Sequence, residues 1–226
     1  MFLVEEYIKS LAIQFEKHSH RDIGIGQTAY MKNRFAFWGI KAPQRRVIQR
    51  PFLRKEKLPP KEYLEEIVNV LWTYPQREFQ YFGMELVHKY QDQFNQKDIH
   101  LLNFMITHKS WWDTVDYIAA HLIGRYCISF PENGMTFIQQ CMDSGNLWLR
   151  RTSILFQLHY KDRTMPHLLE ETITHSLGTG EFFIDKAIGW ALRQYARTHP
   201  KWVLDFVERQ ELTPLSRREA LKHFPR

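Results

Sequence analysis

WWDTVDYIAAHLIGRY, residues 111–126, decides the fold. Its apolar side chains Trp111, Val115, Ile118, Leu122 and Tyr126 return every three to four positions, the spacing of one face of a helix. The segment also has counterparts: REFQYFGMELVHKY (77–90), RRTSILFQLHY (150–160) and DKAIGWALRQY (185–195). All four end on a tyrosine, and these tyrosines recur at intervals of 36, 34 and 35 residues. Shorter amphipathic segments at 97–107, 132–143 and 165–177 lie between them. A helix pair every ~35–45 residues marks an α-solenoid, in which each repeat buries its apolar face only against its neighbours.

Further out, 59–73 reads as another helix, and no alternating strand pattern persists. Pro59, Pro75, Pro131, Pro166, Pro200 and Pro214 stand where helices are expected to start, since a missing N–H costs little in a first turn. Asn146, ahead of LWLRR, is a candidate N-cap. The first ~55 residues fall outside the repeat register and are read as a divergent cap. The expectation is an all-α chain, a curved solenoid of antiparallel HEAT-like helical repeats, forming a single domain over residues 1–226.

In such a stack, residues one period apart lie on neighbouring helices. Asp116 interrupts an otherwise apolar row of Trp112, Ala119 and Ile123. Arg151, 35 residues on, interrupts the row of Leu147, Ile154 and Leu158, and a further 35 residues lead to Lys186. An acid and a base at equivalent places on adjacent helices are either a buried ion pair tying two repeats together or an acid held in a cleft by a guanidinium. A pair of the first kind often adds little net stability over apolar replacements, which weakens the purely structural reading. Trp112 lies one turn before Asp116, and Trp190 follows Lys186 by one turn in a row with Arg193 and Arg197. An indole among cations is a platform for a sugar, a base or a cation.

The chain carries 31 Lys and Arg against 25 Asp and Glu, a net charge of +6, which suits a polyanionic partner. Lys41, Arg45 and Arg46 form one basic group, Arg193, Arg197 and Lys201 a second, and Arg217, Arg218 and Lys222 a third. Gathered on one concave surface, such groups would neutralise phosphates; taken singly, each is also an ordinary solvated helix face. Two cysteines, Cys127 and Cys141, make neither a disulfide framework nor a metal motif and are expected to be buried thiols. No apolar run reaches the ~18 residues of a membrane span, and the N-terminus lacks signal-peptide features, so a cytoplasmic location is expected. There is no Walker loop, strand-linked GxGxxG or HExxH, and the histidines lack ligand spacing; no metal or cofactor is expected.

YMKN (30–33), FWGIKAP (37–43), SWWDTVD (110–116), LWLRR (147–151), ILFQLHYK (154–161), FFIDKAIGW (182–190) and PLSRREALKH (214–223) together resemble the AlkD-type bacterial DNA alkylation-repair glycosylases. The resemblance spans nearly the whole chain. It implies a HEAT-like stack whose basic concave face holds duplex DNA containing alkylated bases, acting as a monomer, and excision of N3- and N7-alkylated purines. It places the catalytic carboxylate at Asp116, its aromatic partners at Trp112 and Trp190 and the arginine at Arg151. Tyr30 and Arg193 match DNA-contacting positions; Lys41, Arg45, Lys186, Arg197, Arg217 and Arg218 are the further candidate phosphate contacts. Lys41 stands where the family more often has glutamine, and His159 where lysine is common. Two other readings remain: a non-catalytic protein that binds distorted DNA, and a protein–protein scaffold.

Overall fold

The computed structural model describes residues 2–224; the regular elements among them are all helices, with no strand, and one isolated bridge joins Ala36 to Gln76. The all-helical class expected from the repeat pattern is what the structure has. The packing divides the chain into two compact units, the first running to Gln93 and the second starting at Phe94.

The first unit contains α1 (Val4–Lys17), α2 (Arg21–Tyr30), α3 (Ala42–Gln49), α4 (Leu64–Thr73) and α5 (Arg77–His88). The divergent cap is thus three helices, α1 to α3. The stretch between α2 and α3 is irregular, and a buried acid holds it: Glu78 accepts the N–H groups of Trp38, Gly39 and Ile40 at 3.1, 3.1 and 3.3 Å. Burial pushes the Glu78 carboxyl above its usual range, and these backbone donors oppose the shift. Gly39 has φ +86°, and a Cβ there would lie 2.0 Å from the His20 carbonyl oxygen, so only glycine fits.

The second unit contains α6 (Asp98–Thr107), α7 (Trp112–Tyr117), α8 (Gly124–Ser129), α9 (Pro131–Asp143), α10 (Leu147–Leu155), α11 (Pro166–His175), α12 (Phe182–Tyr195), α13 (Pro200–Arg209) and α14 (Pro214–Ala220). The expected helices at 97–107, 132–143 and 165–177 correspond to α6, α9 and α11. Pro131, Pro166, Pro200 and Pro214 each begin a helix. Asn146 caps α10, accepting from the backbone of Trp148 at 2.8 Å and Leu149 at 3.3 Å. The 111–126 segment is not one uniform helix. A π-helical turn, Ile118–Ile123, joins α7 to α8, and its wider ring rotates the downstream face away from α spacing.

The core of this unit is built from α10 to α13, with Ile154, Leu155, Ile188, Leu192 and Phe206 fully buried. Cys127 and Cys141 are free and buried, and burial raises both thiols, Cys127 to about 12. Among the described residues, no helix is long and apolar enough to cross a membrane.

Candidate active site

The column read from the 35-residue repeat closes in space. Arg151 Nε donates to Asp116 Oδ1 at 2.7 Å, and Arg151 Nη2 to Oδ2 at 2.8 Å, a fork-on-fork pair between α10 and α7. The Arg151 side chain is 5% exposed and that of Asp116 15%, so the pair is largely desolvated while part of the acid side chain remains accessible. The remaining terminal nitrogen of Arg151, Nη1, donates to the Phe183 carbonyl at the start of α12. One arginine therefore links three helices. Burial pushes the Asp116 carboxyl above its ordinary range; Arg151 pulls it back through hydrogen bonds and charge, and Asp113 adds a small upward push.

An aromatic cluster packs behind this arginine. Trp111 lies 5.5 Å from Trp148 and 5.0 Å from Phe183, ring centre to ring centre, and Trp148 lies 5.1 Å from Phe183. Trp111 is buried, whereas the next residue, Trp112, is half-buried in the first turn of α7. The two adjacent indoles thus differ in burial, Trp111 lying in the core and Trp112 at its margin. Trp190, on α12, is also half-buried and packs on the edge of the core.

Beside Trp190 the cations are not free-standing. Lys186 Nζ donates to Glu219 Oε1 at 2.9 Å, and Arg193 Nη1 donates to Glu219 Oε2 at 2.6 Å. The two cations hold the Glu219 carboxyl well down, at about 2. Sequence reading missed this acid, although it lies 33 residues after Lys186, close to one repeat, and that spacing was its signal. Phe183 was likewise missed as a partner, because its contribution is a backbone carbonyl and carries no side-chain signature.

The other candidate contacts fall into two groups. Tyr30, which ends α2, is 68% exposed, and Lys41, at the N-cap of α3, is exposed. Arg197 and Arg218 are exposed on the second unit, and so is Arg217, which donates to the Val207 carbonyl at 3.0 Å. Arg45 departs from expectation. It is 5% exposed, donates to Gln49 and Glu85 at 3.0 Å each, and lies 4.8 Å over the Tyr81 ring. It lies on the buried face of α3, which it shares with Gln49, rather than with the exposed cations of the cluster around it. His159 is exposed, with its ring 4.6 Å from that of His121, which sits 4.6 Å from Tyr117. Partial desolvation of the imidazole, and secondarily the charge of Lys161, lower its pKa.

Residues 11–224 match the model of a family described as DNA alkylation repair enzyme. A solved structure described as a predicted DNA alkylation repair enzyme from Enterococcus faecalis superposes with a TM-score of 0.85 at 31% identity, covering 92% of this chain and 97% of that one. Among curated protein sequences, none matches.

Proposed function

The chain belongs to the DNA alkylation repair enzyme family, and from that premise we propose that it is a DNA glycosylase excising cationic N3- and N7-alkylated purines. The observation that carries this reading is the Asp116–Arg151 pair: a largely desolvated carboxylate, 15% exposed, oriented by a two-pronged arginine. A purine alkylated at N3 or N7 already bears positive charge and leaves as a neutral base when its bond to C1′ breaks. No acid need protonate it. The electron pair departs with the base and positive charge develops on the deoxyribose. A fixed carboxylate in a low-dielectric setting stabilises that charge and orients the water whose oxygen then bonds to C1′, its proton passing to solvent.

Trp112 and Trp190 would face the sugar, each contributing about 0.5–2 kcal/mol of cation–π attraction in a desolvated site. In this reading Arg151 keeps Asp116 in one rotamer and leaves the sugar-facing edge of the acid unobstructed. In a HEAT-like monomer, phosphate contacts would come on the second unit from Arg197 and Arg218, with Lys186 and Arg193 as further contacts, and on the first unit from Lys41 and Tyr30.

One observation favours a second reading, a non-catalytic protein that binds damaged duplex: both oxygens of Asp116 already accept from Arg151, as in a purely structural pair. Release of free 7-methylguanine from methylated duplex DNA separates the two. The wild type is expected to release the base, and Asp116→Asn to lower the rate by about 10²–10³-fold with DNA binding retained. Salt-sensitive binding without release by the wild type would establish the second reading instead.

A further inference from the structure

Lys186, Trp190 and Arg193 lie at i, i+4 and i+7 on α12, one stripe of the helix with the indole between the cations. Both cations converge on one carboxylate, Glu219 of α14, at 2.9 and 2.6 Å. Glu219 is 16% exposed, while Lys186 is 38% and Arg193 21% exposed, so the acid lies deeper than the cations it holds.

The backbone is arranged to permit this. At Gly189, between the two cations, a Cβ would lie 2.5 Å from Glu219 Cβ and 2.8 Å from the Ser216 carbonyl oxygen. α14 therefore presses on α12 where only glycine leaves room. Ser216 Oγ donates to the Asp185 carbonyl at 3.0 Å and fixes the start of the same contact. A salt bridge that merely tied two helices together would need one cation. Here a single acid spans two turns and takes one partner from either side of a half-buried tryptophan.

We propose that Glu219 is a positioning residue that sets the charge and geometry of the phosphate-binding cations around Trp190. Its role is twofold. It cancels one of the two positive charges, so Lys186, Arg193 and Glu219 together offer the DNA backbone a net charge of one. It also holds both cations off the indole, leaving the Trp190 face open to the sugar. The inference rests on the reading that this stripe meets DNA, as proposed above.

The test uses the full chain and undamaged as well as methylated duplex. Glu219→Gln keeps the shape and removes the charge. It is expected to bind undamaged duplex more tightly at low salt and to steepen the plot of log affinity against log salt by about 0.9, the contribution of one more neutralised phosphate. An unchanged or shallower slope overturns the charge role. Glu219→Asp keeps the charge and withdraws it by one methylene. It is expected to hold the wild-type slope and to slow single-turnover release of 7-methylguanine at least fivefold; a wild-type rate overturns the geometric role. The wild type is the separate control on the premise. If it binds duplex without salt dependence, the DNA reading itself fails. If it binds but does not excise, the glycosylase reading fails, and the slope of the Gln variant still decides the charge role.

Discussion

Burial favours the protonated form of Asp116, and the hydrogen bonds and charge of Arg151 oppose it. In the proposed mechanism excision uses the ionised form. The rate is therefore expected to fall as pH drops through the Asp116 pKa, at a midpoint above the ~3.9 of an unperturbed aspartate. Removing the opposing influence moves that midpoint further: Arg151→Gln should shift the acid limb of the single-turnover pH profile to higher pH. A limb displaced downward would show that Arg151 does not act through the acid. Asp116→Asn also has a structural cost. Its amide can accept from Arg151 through only one atom, leaving a buried charged donor short of a partner, a loss of about 1–3 kcal/mol. Its melting temperature should fall, and its activity must be measured below that transition. The acid and arginine were legible in the sequence because each breaks an apolar row and the two lie one repeat apart. The burial of Arg45 was not legible, because a cation inside a basic cluster looks like its neighbours until the burial of its helix face is known.

At the level of helices, the chain gives its boundaries away where capping chemistry is local. Asn146 was readable because an N-cap acts within three residues, and Asn146→Ala should cost about 1 kcal/mol, measured by denaturant unfolding. The π-turn at Ile118–Ile123 was not readable: its residues, IAAHLI, suit an α-helix equally well. The α12–α14 contact was not readable either, since it depends on a glycine whose importance appears only when another helix lies on it. Gly189→Ala brings a methyl against Glu219 Cβ and the Ser216 carbonyl, neither of which is a flexible side-chain end. The expected cost is about 1–3 kcal/mol of stability, together with the steeper salt dependence of Glu219→Gln. The same contact responds to acid. Glu219, held at about 2 by Lys186 and Arg193, contributes stability that is complete above the unfolded carboxyl range and lost as pH falls from about 4.5 towards 2.

At the scale of the molecule, net charge is a weaker guide to DNA affinity than the state of each cation. The sequence marks seven cations for the backbone: Lys41, Arg45, Lys186, Arg193, Arg197, Arg217 and Arg218. Three of them are already committed to acids, Arg45 to Glu85 and both Lys186 and Arg193 to Glu219, and Arg217 is engaged by the Val207 carbonyl. What remains is Lys41, Arg197 and Arg218, together with the single net charge of the Glu219 group. His159 is left out of this count, because its surroundings favour the uncharged ring. Each phosphate neutralised contributes about 0.9 to the slope of log affinity against log salt. Four effective contacts give a slope near −4, whereas all seven acting freely would give about −6. Titrations of undamaged duplex between roughly 50 and 200 mM salt resolve that difference. A slope near −6 would mean that the ion pairs open on binding and that Glu219 does not restrain its partners. Arg45→Gln sharpens the comparison: a buried arginine committed to Glu85 should lower the melting temperature when removed and leave the slope unchanged, whereas an arginine that met phosphate would lower the slope by nearly one unit.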